Sequence, residues 1–414
     1  MFANQRVLII GTVWPEPDSS AAGSRMMQLI ALFKQEGASV TFASSASNFE
    51  YSEDLESLDI ETELIKINDS GFDEFIKKLN PQVVLFDRFM TEEQFGWRIV
   101  EQCPDAIRVL DTEDLHSLRY GRHKALKQGR TFTERDLYSD KARREIASIY
   151  RCDLSLIISD FEYELLTSFF KIDTDLLHYI PFMFEEINSN QQNKFPSFDE
   201  RQHFISIGNF LHEPNWDAVK YLQSDIWKSI KKQIPEAELH IYGAYSSPKV
   251  EQLHNEKEGF CIKGRAESAE EVIRSAKVLL APIRFGAGLK GKLVDAMKCG
   301  TPSVTTAIGT EGMTKDQVWG GEVAETPEQF VKKAIDLYSN PKKWSTAQKT
   351  GFSLFNSLFS RDRHHQNLKN KISFISSNLS EHRKKNFIGS MLLQNTLQSY
   401  KYMSKWIEEK NKNL

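Results

Sequence analysis

Three glycines and two lysines crowd into the run FGAGLKGK: Gly286, Gly288, Gly291, Lys290 and Lys292. Glycine lets the backbone turn, and lets its N–H groups approach an anion, where a side chain would obstruct both. A helix opening directly after such a loop adds the positive end of its dipole. Each ammonium group would contribute about 1.5–3 kcal/mol to a charge-assisted contact with phosphate. The loop has the composition of a phosphate cradle, although glycine-rich turns with solvated lysines also occur in α/β proteins that bind nothing there. A second cluster, Asp111, Asp114, His116 and Arg119, lies within DTEDLHSLR and combines carboxylates, an imidazole and a guanidinium.

Apolar runs over 278–283 and 302–306 flank the glycine loop and a helix opening near Leu289 and stopped by Gly300, which is the pattern of a β-α-β unit. Upstream, short apolar runs over 6–10, 40–43, 64–67, 83–86, 108–110, 154–159 and 178–180 predict strands. Helical patterns alternate with them, as in SRMMQLIALFKQEG, where Met26, Leu29, Ile30 and Phe33 recur at helical spacing. The second cluster then falls at the carboxyl end of a parallel strand, where open α/β sheets bind ligands. A polar, Asn- and Gln-rich stretch over 185–201 reads as a linker, and a new series of strands follows over 204–207, 239–242 and 260–262. The 414 residues are expected to form an α/β protein with two Rossmann-like parallel-sheet domains, 1–184 and 202–380, followed by a helical segment over 381–414.

Composition narrows the function classes. A formal net charge of -4 gives no global attraction to nucleic acid. Cys103, Cys152, Cys261 and Cys299 stand far apart, without the paired spacing of a zinc site or a disulfide framework, which fits a reduced, cytoplasmic setting. The first apolar run is too short for a secretory signal core, and the others fall far below the roughly 20 residues that span a bilayer. The opening β-α-β pattern has no G-x-G-x-x-G, so the dinucleotide-dehydrogenase fingerprint is missing.

Over FGAGLKGKLVDAMKCGTPSVTTAIGTEG the chain resembles the donor-binding segment of nucleotide-sugar glycosyltransferases of the GT-B fold, in the group-one, family-four-like class of retaining enzymes. WPEPDSSAAGSR and SIGNFLHEPNWDAVKYL resemble the first loops of that class's two domains. The resemblance implies a central cleft between the domains, with a carboxyl-terminal helix crossing back to the first. It also implies a nucleoside-diphosphate-sugar donor, a glycan or lipid-linked sugar acceptor, retained anomeric configuration, and no obligatory metal or other cofactor. It places the donor against Gly23, Gly286, Gly288, Leu289, Lys290 and Lys292, the nucleobase against Arg265 and the ribose hydroxyls against Asp295. It sets His116, with Asp114, beside the donor sugar; His123 is the rival, and a plain hydrogen-bonded loop histidine is the alternative to either. Two departures stand out. Asn209 and Asn215 occupy positions where the class has Arg and Lys, and Ala287 stands at the first acidic position of its E-x(7)-E motif. Either backbone groups over 286–289 take over from that acid or activity is lost. A non-catalytic nucleotide-sugar or glycan-binding relative and a nucleotide-sugar epimerase of the same fold therefore remain as alternatives.

Other features carry two readings each. The basic stretch 119–151 is a solvated helix face, or an electropositive surface for an anionic acceptor or membrane. Asp173, Thr174 and Asp175 spell the D-x-D of a different glycosyltransferase fold, and read as a solvated loop. Ser159 and Glu162 have the spacing of a capping box. In the tail, Leu393, Leu397, Tyr400, Met403 and Ile407 recur at helical spacing, for packing on the first domain or for contact with the inner face of a membrane.

Overall fold

A computed structural model describes residues 5–47, 51–315 and 317–394, together with 402–404, 406, 407 and 410. The first sheet contains β1 (Arg6–Gly11), β2 (Ser39–Ser44), β3 (Glu61–Leu64), β4 (Val83–Asp87), β5 (Ile107–Asp111), β6 (Leu154–Ile157) and β7 (Leu177–Tyr179). The second contains β8 (Gln202–Ile207), β9 (Leu239–Tyr242), β10 (Phe260–Gly264), β11 (Ala276–Ala281), β12 (Ser303–Thr305) and β13 (Gly321–Val323). Their orders are β3-β2-β1-β4-β5-β6-β7 and β10-β9-β8-β11-β12-β13, parallel throughout.

Parallel sheets need cover on both faces, so their central strands read as continuous apolar runs. In β1, Val7 and Ile9 enter one core while Leu8 and Ile10 enter the other. In β11, Leu279 and Ala281 divide in the same way from Val278 and Leu280. Strand order reverses between β1 and β4 and again between β8 and β11. Loops diverge at such switch points and leave a crevice beyond the carboxyl ends of the strands. The loops after β1, β4, β5, β8 and β11 are thereby assigned to the cleft.

Three elements differ from expectation. The third strand lies at Glu61–Leu64, not over 64–67, because it is an exposed edge strand bonded only to β2 and needs no apolar run. Strand β13 has three residues and one partner, too little to leave a period in the sequence. The return to the first domain begins at Arg361, not at residue 381. Helix Arg361–Ser377 sends Leu368, Ile372 and Ile375 into the core that holds Val7 and Leu29. Beside it, Lys369 and His365 reach Glu36 at 2.7 and 3.1 Å, and farther on Arg383 pairs with Asp153 at 2.8 Å. Helical periodicity shows that a face is buried but not which domain buries it. Leu397 and Tyr400 lie outside the described residues. Asp173 accepts the Asp175 N–H at 2.9 Å and caps the short turn Thr174–Leu176, a local structural role for the D-x-D. No described helix is long and apolar enough to cross a membrane.

Under the cleft floor, Arg25 and Asp111 form an ion pair at 2.8 Å with 1% and 0% of their side chains exposed. Arg25 also donates to the Ile180 carbonyl at 2.7 Å, so one guanidinium ties helix Ala21–Gln35 to the ends of β5 and β7. Removing one partner strands a buried charge. Arg25→Ala is expected to lower unfolding free energy by about 3–5 kcal/mol in urea denaturation, whereas Arg25→Met combined with Asp111→Leu should restore much of the loss. Additive losses in the double variant would contradict this account.

Candidate functional site

The second-domain wall of the cleft is built by the loops after β8 and β11. Helix Gly291–Lys298 starts directly behind the glycine loop, two residues later than the sequence suggests, because the backbone of Gly288 adopts φ 62° and interrupts it. Leu289 anchors its side chain in the second-domain core, leaving its backbone at the loop. Lys292, in the first helical turn, donates to Asn215 Oδ1 at 2.8 Å, and Asn215 Nδ2 donates to the Asn209 carbonyl at 2.9 Å. A Cβ on Gly208 would lie 2.7 Å from both Lys292 Nζ and Asn215 Nδ2, so the strand end must be glycine for the ammonium to sit there. Burial lowers Lys292 to about 8, with no carboxylate acting against it. Lys290 differs in its neighbours. Its Nζ donates to the Gly288 carbonyl at 2.9 Å, and burial lowers it to about 8 as well, with Arg122 adding to the fall and Glu311, Glu162 and Asp114 opposing it.

The first-domain wall is the turn after β5. Asp114 pairs with Arg119 and lies 3.4 Å from His116 Nε2. Burial pushes Asp114 upward, but Arg119, His116 and His212 outweigh it and hold the carboxylate at about 2. Burial lowers His116 to about 4, so its imidazole is neutral at pH 7. The ring stands edge-on to Phe89 at 5.6 Å. Glu145 fixes the start of helix His116–Lys127, accepting the His116 N–H at 2.8 Å and the Ser117 N–H and hydroxyl at 3.1 and 2.6 Å.

The two walls touch through the glycine loop. Glu162 accepts the N–H of Gly288 at 2.7 Å and that of Leu115 at 3.0 Å. It makes no capping box, since Ser159 forms no side-chain cap bond. A Cβ on Gly288 would fall 2.8 Å from Asp114 Cβ, and one on Gly291 would fall 2.6 Å from Ala21 Cβ. Arg122 crosses the cleft to bond the Gly286 carbonyl at 2.9 Å and both oxygens of Glu311 at 2.7 Å. His123 stacks on Phe285 at 4.2 Å and meets Glu213 at 3.0 Å, which makes it a domain contact and leaves His116 as the histidine beside Asp114. Ala287 packs against the apolar cluster of the first domain that contains Leu115 and Leu118.

Residues 201–340 match a family model described as "Glycosyl transferases group 1". The second domain is a group 1 glycosyltransferase domain. A search of curated proteins finds no match. Among solved structures, the chain is similar to sucrose-phosphate synthase from Thermosynechococcus elongatus, with 16% identity, 90% of this chain and 100% of that one covered, and a TM-score of 0.67. It is also similar to Anabaena HepE in complex with UDP and glucose, at 12% identity, 89% and 100% coverage, and a TM-score of 0.65. A third is S. aureus TarM with Fondaparinux, alpha-GlcNAc-glycerol and UDP, at 9% identity, 89% and 99% coverage, and a TM-score of 0.67. The two facing parallel-sheet domains are the GT-B fold.

Within this glycosyltransferase architecture, Asp114, His116, Gly286, Gly288 and Lys290 converge, and His212, Asn215 and Lys292 stand beside them. Arg265 lies at the rim, its guanidinium 4.4 Å over the ring of Tyr51, which meets Tyr245 edge-on at 5.5 Å. Tyr245 donates its hydroxyl to Glu16 at 2.8 Å. Asp295, pushed up by burial to about 6, has Lys298 and Glu270 as its charged neighbours. Gly23 is placed differently from expectation. It is buried under the first loop, where a Cβ would meet the Glu16 backbone at 2.4 Å; Ala21 is the small residue that faces the glycine loop. The basic stretch is largely neutralised within the fold: Arg130, Arg143, Arg144 and Arg151 pair with Asp136, Asp140, Glu93 and Glu92. Arg122, Glu145, Glu162, His212 and Glu311 were not legible as site residues: Arg122 appeared as part of the basic run, Glu162 as half of a capping box, and His212 and Glu311 only as members of the two segments of the second domain that carry the resemblance.

An anion bound at Lys292 favours the charged ammonium and raises its pKa above the free value of about 8. Nucleoside-diphosphate affinity should be flat below pH 8 and fall by up to about tenfold per unit above it in calorimetric titrations. The same titration with Lys292→Met should show weaker binding at pH 7 and a shallower slope, because Lys290 is lowered to about 8 as well. Affinity at pH 7 unchanged by the substitution would remove Lys292 from the site.

Proposed function

We propose that the protein transfers a sugar from a nucleoside-diphosphate sugar to a hydroxyl of a glycan or lipid-linked acceptor, with retention of configuration and without a metal. The observation that carries this reading is Lys292, a half-buried ammonium whose partner is the neutral Asn215, set in the first turn of a helix at the cleft. Such a cation is unsatisfied until an anion arrives, and the helix N-terminus favours the same charge. The diphosphate would bridge Lys292, Asn215 and the amides of the first helical turn. Arg265 would meet the nucleobase at the rim, and Asp295 the ribose. The UDP bound to Anabaena HepE and S. aureus TarM makes uracil the first base to test.

The donor sugar would then lie between the 286–289 backbone and His116. A neutral imidazole can accept a hydrogen bond from a sugar hydroxyl, and Asp114, ionised and held by Arg119, orients it. In transfer, the bond between the anomeric carbon and the diphosphate oxygen breaks, and the acceptor oxygen bonds to the same face of that carbon. The acceptor's proton passes to the departing phosphate oxygen. Negative charge on the leaving group grows through this step, so Lys292 and the fixed N–H dipoles stabilise the transition state more than the bound donor.

His116→Ala is expected to lower kcat by roughly 2- to 10-fold, the worth of one neutral hydrogen bond of about 0.5–1.5 kcal/mol, with little change in nucleotide affinity. A thermal-shift screen against UDP-, GDP- and ADP-sugars, followed by transfer assays, tests the whole reading. Tight binding without turnover would favour a non-catalytic relative, and conversion of the donor sugar without transfer an epimerase.

Peripheral contact with a cytoplasmic membrane face is supported by helix Phe387–Leu393, where Phe387, Ile388 and Met391 are exposed close to the cations Lys384 and Lys385. Co-sedimentation with anionic vesicles should fall when Phe387 and Met391 are both changed to Ser; equal sedimentation would remove this contact.

A further inference from the structure

Opposite the cleft, at the amino-terminal end of the second sheet, parallel register collects donor groups that the sequence keeps apart. Cys261 on β10 pairs with His240 on β9, and His240 pairs with Ile205 on β8. Side chains alternate along a strand, so His203, Glu238, His240 and Cys261 all project from one face. The ligating atoms of Glu238, His240 and Cys261 lie within 4.8 Å of one another. Within this group His240 Nε2 is 2.7 Å from Glu238 Oε2, and the His203 ring stacks on His240 at 3.9 Å and 22°.

We propose that Glu238, His240 and Cys261 bind a divalent transition-metal ion of the zinc type, which fastens the edge strand β10 to β9. Nitrogen, carboxylate oxygen and sulfur form a borderline donor set that suits Zn²⁺ and its neighbours, whereas Mg²⁺ and Ca²⁺ take oxygen. Metal bonds of about 2.0–2.3 Å put tetrahedral ligand atoms roughly 3.3–3.8 Å apart, so the Glu238–His240 contact at 2.7 Å must open and no other pair, all being within 4.8 Å, need close by more than about 1 Å. The parts that must stay still do: Cys261 is buried, and His240 is held under His203. Glu238, half exposed, already touches the His240 ring and can turn its carboxylate from that contact to the ion. Water would fill the fourth position on that open side.

Binding replaces the Cys261 S–H bond with an S–metal bond and releases one proton to solvent. Lys263 favours the thiolate but repels the cation. The carboxylate and thiolate together leave the occupied site neutral before that lysine is included. Far-apart cysteines in the sequence suggest no zinc site, but here one cysteine suffices, because sheet register supplies the other ligands.

The test uses the full chain, stripped with a chelator and titrated with Zn²⁺ by calorimetry and with Co²⁺ by absorption. One equivalent is expected to bind, with a thiolate-to-cobalt charge-transfer band and heat that varies with the buffer as the proton is released. Cys261→Ser should lose the band. Glu238→Gln, at an exposed position that does not threaten folding, should weaken Zn²⁺ binding beyond the roughly 10- to 100-fold typical of losing an outer-shell partner. It should also abolish the rise in Tm that Zn²⁺ gives the parent protein, while leaving nucleotide binding at the cleft unchanged. Absence of stoichiometric binding by the parent, or equal binding by both variants, would overturn the assignment.

Discussion

The geometry of the cleft depends on the close approach of Gly288 to the first domain. Its N–H is held by Glu162 at 2.7 Å, and its Cα faces Asp114 so tightly that a methyl group would intrude to 2.8 Å. Its φ of 62° is costly for any residue with a side chain. Glycine in this loop therefore serves domain contact as much as anion approach. Arg122 locks the same loop from the other side through Gly286 and Glu311. The shape of the loop and the closure of the two domains are consequently one equilibrium.

Electrostatics then separates groups of the same type into different roles. Lys290 has the carboxyl groups of Glu311, Glu162 and Asp114 near it, while Lys292 bonds the neutral amide of Asn215, and burial lowers both ammonium groups to about 8. Taking a cation out of water without a counter-charge costs several kcal/mol, a penalty that an incoming anion removes. Asp114 and His116 are likewise driven apart, one fixed as a carboxylate and the other as a neutral ring. An environment that moves neighbouring pKa values in this way assigns charge stabilisation to one group and neutral hydrogen bonding to the other.

The departures from the group's usual motif become intelligible in the same frame. Ala287 turns its methyl group into an apolar cluster of the first domain, where an acid would be desolvated beside Glu162 and Asp114. The carboxyl that reaches this loop comes instead from Glu162, across the cleft. Asn215 in place of a cation does not leave the β8 loop idle, because its amide steers Lys292.

The sequence by itself determined both parallel sheets, since strands buried on two faces must be short, continuous apolar runs, and it marked the glycine loop, Lys290, Lys292 and the Asp114–His116 segment. These are local patterns, and local patterns survive in one dimension. It was silent on β13 and slid the third strand by three residues, because edge strands bury little. Only the tertiary structure could bring in Arg122, Glu145, Glu162, His212 and Glu311, or divert Gly23 from the cleft to the Glu16 backbone. All of these but Gly23 act through a partner tens to hundreds of positions away, and such pairings are set by the packing of whole elements, which no stretch of sequence contains.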